Sequence, residues 1–379
     1  MSRLRRALWL CCVALSAGFV SPLDAHDLTK LPLGDGRISH EPRVGWVWPC
    51  HIEPNAGGAW RDGDWIDKRD GTYDFTRKAV VPGDVSWPAK FAIELVGDRR
   101  VFTSNDLPSH GTGIFPIPSD SAAYRYDTNP NRIAAQRITI SLPANPQLAE
   151  SPTCAPPALG ILLSGAVLFN ALDAPGRDAV AHETQDKCQG HPQEGGVYHY
   201  HSVSTCVDTK RQRDGHSALV GYMLDGFGIY GRYGEGGKLL TSKDLDACHG
   251  HTHLIEWDGH LVRMYHYHAT WDFPYTAGCM RGTVNMRDVM ALSGPVPPHR
   301  DRQFADAPGQ NGSGRPGDLD AGRGPRGPHP DLNRAARQLG IDVDTLRRAL
   351  GPPPPDLRAA ARQLGIDEQR LRAALDASR

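Results

Sequence analysis

The 379-residue chain is long enough for about two domains, and its 42 Lys and Arg offset 43 Asp and Glu. That balance gives no basic face of the kind that holds nucleic acid or an anionic membrane. With 41 Gly and 31 Pro it is too rich in chain breakers for a helical protein, so a loop-rich, mostly β body is expected.

Arg3, Arg5 and Arg6 precede an apolar run from Ala7 to Val20, and a short stretch follows that ends in the small residue Ala25. This is the pattern of a signal peptide over residues 1–25, which predicts a periplasmic or secreted protein. The run is too short for a membrane helix, so no transmembrane anchor is expected after cleavage. Cys50, Cys154, Cys188, Cys206, Cys248 and Cys279 remain. An even number of cysteines in an oxidising compartment predicts three disulfides.

Between about residues 40 and 290 three segments share one pattern, two apolar β-prone runs around a two-residue turn ending in Gly. The turns are Ser164-Gly165, Asp225-Gly226 and Asp258-Gly259. Asp-Gly between such runs signals a hairpin whose two central residues both take positive φ. An antiparallel, hairpin-rich β domain is therefore expected, with one helix from Arg177 to Lys187 that places Asp178 and His182 on one face.

From Ala291 to Pro330, 16 of 40 residues are Gly or Pro, which predicts a disordered linker. Beyond it Asp331–Gly351 matches Asp356–Asp376 at 14 of 21 positions. Each copy reads helix, turn, helix, with Gly340 or Gly365 closing the first helix and Asp342 or Asp367 capping the second. This pair over residues 331–379 is read as a small attachment module for a protein or cell-surface partner, since export and mixed charge argue against DNA.

Histidine is the unusual residue, and 11 of the 17 lie between His182 and His268. Tyr198-His199-Tyr200-His201 recurs as Tyr265-His266-Tyr267-His268. On a strand the alternation puts both imidazoles on one face and both tyrosines on the other. The context is duplicated too: Cys188-Gln-Gly-His191 and Cys248-His-Gly-His251 precede the two copies, and Cys206 and Cys279 follow them. We read two related half-sites, each stapled by its own disulfide, Cys188 with Cys206 and Cys248 with Cys279, which leaves Cys50 to pair with Cys154.

The candidate metal ligands are His191, His199 and His201 in the first half and His251, His266 and His268 in the second, with His249 and His253 as substitutes or supplements for His251. Imidazoles without a free thiolate or clustered carboxylates point to Cu or Zn. Asp178, His182, Tyr198, Tyr200, Tyr265 and Tyr267 are expected to support the ligands from behind. Asp173 and Glu183 lie beside the first half-site in the same role.

Three functions fit. The first is an exported metal-binding module. The second is a metal-dependent hydrolase or oxidase using an open position on the same ion. The third is a structural or adhesive domain whose His and Tyr form a polar core. The common catalytic motifs are missing, and the first reading leads.

The chain resembles the YHYH-domain proteins. The resemblance rests on the tetrapeptide and on Leu107-Pro-Ser-His110, Ala123-Tyr-Arg-Tyr-Asp127, Phe169-Asn-Ala171, Leu224-Asp-Gly-Phe-Gly-Ile-Tyr230, Asp244-Leu-Asp-Ala-Cys-His-Gly-His251 and Phe273-Pro-Tyr-Thr-Ala-Gly-Cys279. Phe227-Gly-Ile-Tyr230 stands where such proteins usually have Phe-Pro-Ile-Tyr. The resemblance implies an exported protein with one YHYH domain over roughly residues 40–290 and implies no particular activity.

Overall fold

Runs of Val, Ile and Leu that flank tight turns fold into hairpins because each hairpin buries its own apolar residues while the turn supplies the reversal. Two such inner hairpins lie at the centre of the protein. Ala158–Leu162 pairs with Val167–Phe169, and Leu219–Met223 pairs with Gly228–Tyr230. The computed structural model describes residues 27–52, 58–59, 61–294, 332–350 and 357–376. The signal-peptide segment and nearly all of the expected linker lie outside the described residues.

Each inner hairpin has an outer partner. Gly190–Pro192 pairs with Tyr198–Tyr200, and Gly250–Trp257 pairs with His260–His268. In each half the strand carrying the tetrapeptide runs parallel to the second strand of the inner hairpin, with Leu168 opposite Tyr200 in one and Ile229 opposite Tyr267 in the other. The two inner hairpins join antiparallel through their first strands, which completes an eight-stranded sheet. The hairpins are antiparallel as expected; the parallel joins between them are an addition the sequence did not signal.

This strand order reads the same from both ends. Ser164-Gly165 corresponds to Asp225-Gly226, Gly160 to Gly221, and the two tetrapeptides to each other, so the halves are related by a pseudo-twofold axis. The axis passes between Ile161 and Tyr222, which face each other, with Gly221 opposite Leu162 on one side and Gly160 opposite Met223 on the other. Glycine is needed at this seam: a Cβ on Gly160 would stand 2.2 Å from the Tyr222 carbonyl oxygen, and one on Gly221 2.6 Å from that of Ile161.

Turn geometry departs from expectation at two of the three turns. At Asp258-Gly259 both residues have positive φ (51° and 80°). At the inner hairpins only Gly165 and Gly226 do, and the loops are three residues long, since Leu162 N donates to Ala166 O and Met223 N to Phe227 O. A type I turn followed by a left-handed Gly serves here in place of the tighter turn. It frees the Ser164 and Asp225 side chains for the tetrapeptide tyrosines.

The expected helix over 177–187 is a single turn, Ala179–His182, capped by Asp178, whose side chain accepts from Ala181 N. The chain turns extended at Glu183 because Gln185–Asp186 pairs with Val80–Val81. A second helix, Met286–Ser293, runs into the start of the segment read as linker. At the other end Leu31 and Leu33 are buried in the same core as the central strands, so the body reaches beyond residues 40–290 on both sides. The Cys50–Cys154, Cys188–Cys206 and Cys248–Cys279 disulfides close it.

The described residues from Leu332 to Asp376 belong to a separate unit. Helices Leu332–Leu339, Val343–Leu350, Leu357–Leu364 and Glu368–Asp376 share one core that includes Ala335, Leu346, Ala360 and Leu371. Gly340 and Gly365 have positive φ and close identical helix ends, with Ile341 N donating to Ala336 O and Ile366 N to Ala361 O. No helix among the described residues is long and apolar enough to cross a membrane.

Candidate metal centres

The two tetrapeptide strands place their histidines on one face and their tyrosines on the other. On the tyrosine face the contacts are duplicated. Tyr198 donates to Asp186 (2.9 Å) and Tyr265 to Asp246 (3.0 Å). Tyr200 bonds Ser164 (2.9 Å), and Tyr267 donates to Asp225 (2.6 Å). Asp186 and Asp246 also accept from the backbone of Cys188 and Gly190, and of Cys248 and Gly250. The working motif is therefore Asp-x-Cys-x-Gly-His, two residues longer than the spacing of Cys, Gly and His alone suggested. Its Gly lets the first tyrosine ring pass, because a Cβ on Gly190 or Gly250 would stand 2.3 or 2.4 Å from the Tyr198 or Tyr265 hydroxyl oxygen.

On the opposite face the imidazoles converge. In the first half His199 Nδ1 faces the Val197 carbonyl at 3.3 Å and His201 Nδ1 the Asn170 carbonyl at 2.6 Å. These contacts fix the proton on Nδ1 and leave Nε2 bare. The two bare Nε2 atoms lie 3.2 Å apart. The second half repeats this. His266 Nδ1 donates to Met264 O (3.1 Å) and His268 Nδ1 to Gly231 O (2.7 Å), while His266 Nε2 stands 3.1 Å from both His251 Nε2 and His268 Nε2. Phe169 stacks on His199, and Tyr230, its counterpart, packs edge-on against His266.

Each triad gains a fourth group. In the first, Glu183 Oε2 lies 3.3 Å from His191 Nε2 and 3.2 Å from His201 Nε2. In the second, His216 donates from Nδ1 to Ser217 O (2.6 Å) and joins His251, His266 and His268, leaving its buried Nε2 without a hydrogen-bond partner among the described residues. The sequence places Glu183 among supporting residues and not among ligands, and it gives no sign of His216. Neither sits in a repeated spacing, so only the fold brings them in. The local signal that was present, an Asp two residues before each Cys, marks the scaffold and not the ligands.

Burial dominates the electrostatics. It pushes His199, His266 and His268 well below the ordinary imidazole value, brings His191 down to about 4 against the pull of Glu183, and lowers His251 and His216. Burial also works against Glu183, yet His191 and His201 beside it hold it ionised. His201 moves the other way: burial disfavours its charge, but Glu183 outweighs this and raises it.

The remaining predicted residues are placed elsewhere or at the margin. His249 occupies the x position of Asp-x-Cys-x-Gly-His with φ of 76°, and its Nε2 bonds the Thr270 hydroxyl at 3.0 Å, so it does not substitute for His251. His253 stacks on His216 at the rim of the second cluster and meets Glu235 at 3.1 Å. Asp178 and His182 do not support the triads. Asp178 accepts from Gly34 N and the Tyr275 hydroxyl, and His182 sits between Asp35 and Asp62, because the helix ends before Lys187 and turns these groups toward the N-terminal loops. His110 lies beside Cys188 and Cys206, but both sulfurs are in the disulfide, and its Nε2 bonds the Tyr200 hydroxyl.

Register decides whether there is one centre or two. Val167 is opposite His199, Ile161 opposite Val167, Tyr222 opposite Ile161 and Gly228 opposite Tyr222, while Ile229 opposite Tyr267 sets His266 beside Gly228. Paired residues share a face, so both triads open on the same side of the sheet. Five strand spacings, about 24 Å of sheet, separate them. There are two clusters.

Comparison with curated proteins and with solved structures found no match. Residues 139–239 match the family model described as YHYH protein, a stretch that runs from before the first inner hairpin through the second and stops short of the second tetrapeptide. On that match and the first tetrapeptide within it, the chain carries a YHYH-domain stretch over residues 139–239.

Proposed function

We propose that this protein is an exported transition-metal-binding module that holds one copper or zinc ion in each imidazole cluster. The observation that carries the reading is the set of bare Nε2 atoms 3.1–3.2 Å apart. Lone pairs at that distance repel unless a cation lies between them. In the second cluster a shared proton is a poor substitute, because burial disfavours an imidazolium at His266 and His268; in the first, Glu183 raises His201 while burial lowers His199. Four donors about 2.0–2.1 Å from a tetrahedral ion stand about 3.3 Å from one another, close to the spacing present. The clusters also hold buried atoms with no hydrogen-bond partner among the described residues: His191 Nε2 and His216 Nε2 within the imidazole groups, and Glu183 Oε2 beside His191 and His201.

Four imidazoles in the second cluster can fill a tetrahedral ion, which there favours holding the ion over activating water on it, while the first brings three imidazoles together with Glu183 against two of them. Three disulfides suit an oxidising destination, periplasmic or secreted. The C-terminal helices serve in this reading as a docking element for a protein or cell-surface partner.

Elemental analysis of protein purified without an affinity tag tests this. Two equivalents of Cu or Zn are expected, one lost in the His199→Ala, His201→Ala variant and the other in the His266→Ala, His268→Ala variant, with the disulfides intact in both. Failure of the wild-type chain to carry or take up either ion would leave a polar His/Tyr core as the better account.

A further inference from the structure

We propose that the second cluster is the exchangeable site, and that His253 and Glu235 form the path by which an ion enters and leaves it. This rests on the two-site reading above.

The clusters differ in access. In the first, His191, His199 and His201 are each 3% exposed and Glu183 8%. In the second, His216, His266 and His268 are as deeply buried, but His251 is only partly covered and the His253 side chain is 19% exposed. Donor groups form an unbroken line from solvent inward. The half-exposed Glu235 carboxylate is 3.1 Å from His253 Nε2. The His253 ring stacks on His216 at 5.4 Å and 19° and lies 6.0 Å from the His251 ring. His251 Nε2 then reaches His266 Nε2. His253 Nδ1 is shielded from solvent and has no hydrogen-bond partner among the described residues.

The pseudo-twofold supplies the contrast. Gln193 stands in the first half where His253 stands in the second, two residues after the ligand His. Its side-chain amide donates to Ser293 O at 2.7 Å, which ties this edge of the first cluster to the end of the Met286–Ser293 helix. One half is closed by a helix terminus at the position where the other carries an imidazole and a surface carboxylate.

Charge acts in the same direction. In the first cluster the Glu183 carboxylate lies against two of the donors, 3.3 Å from His191 Nε2 and 3.2 Å from His201 Nε2, and neutralises part of a divalent ion's charge. The donors of the second are four imidazoles, and Glu235 waits outside the rim. An ion buried among neutral ligands keeps more of its desolvation cost, so it leaves more readily.

The test loads the full chain with Zn(II), adds excess chelator and follows release. Two phases of one equivalent each are expected, the fast one abolished by His266→Ala, His268→Ala and the slow one by His199→Ala, His201→Ala. In His253→Gln and in Glu235→Gln, loading and release of the fast equivalent slow by about tenfold while both equivalents are still taken up at equilibrium. Release of both ions in one phase, a fast phase belonging to the first cluster, or unchanged rates in both rim variants would overturn the proposal. Absence of bound zinc in the wild-type chain would instead defeat the two-site reading beneath it.

Discussion

Each tetrapeptide imidazole is aimed by the carbonyl that accepts from its Nδ1, and the carbonyls come from equivalent places: Val197 and Met264 two residues back on the strand, Asn170 and Gly231 just past the inner hairpins. The triads were legible in sequence because strand alternation alone puts His-x-His on one face. Glu183 and His216 were not legible as donors, because their places depend on where a helix stops and how a loop returns. The same holds for Lys78, which no motif marks. It is buried, donates to Gln185 (2.6 Å), and burial brings it from 10.5 down to about 7 despite Glu183, Asp178 and Asp127 nearby. Between pH 7 and its ordinary value the unfolded chain holds this proton and the folded chain does not. Raising pH through that window therefore adds stability from this group, and lowering it toward 7 removes it. Denaturant midpoints of metal-free wild type relative to Lys78→Met should climb from pH 7 to 10, corresponding to a few kcal/mol at most. A flat difference would mean that Lys78 stays charged in the fold.

At the scale of elements, the hairpins are legible because Gly marks each turn and apolar runs mark each strand. Their assembly is not, since nothing local tells a tetrapeptide strand to run parallel to an inner hairpin 30 or more residues away in the chain. The single-turn helix shows the same limit: Asp178 caps it as a helix start should, but pairing of Gln185–Asp186 with Val80–Val81 ends it early. The seam between the inner hairpins is the most exacting join. Gly160→Ala and Gly221→Ala would each press a methyl group against a partner-strand carbonyl, and each should destabilise the β unit by about 1–3 kcal/mol or more. Urea midpoints check this. Alanine at Gly36, which has nothing within 4 Å but a φ of 76°, serves as a control for backbone strain without crowding.

For the molecule as a whole, the repeat in the last 49 residues was visible as a sequence match, and it folds as two hairpins around one shared core. That core is small, built largely of Ala and Leu, so each buried leucine matters. Leu371→Ala should cost about 2–5 kcal/mol and unfold these helices, seen as a loss of helical circular dichroism. The same variant should carry as much metal as the parent, because no donor of either cluster lies in that unit. A loss of bound metal would tie the two units functionally. The β unit is legible as a duplication in its cysteines, glycines and tetrapeptides, but the axis that relates the copies emerges only from register.

That axis has the geometry of a symmetric dimer written into one polypeptide. Two separate copies of one half, meeting edge to edge as these do, would be bound by symmetry to carry identical centres, and any substitution would appear in both. Covalent continuity lifts that constraint: a carboxylate lies beside one centre while the other gains a fourth imidazole, and a helix end is tied to one rim at the position where the other carries His253. Each half is thereby the other's reference within a single molecule, equal in scaffold and exposed to the same solution, so a difference in behaviour between the centres traces to the few residues by which the halves diverge.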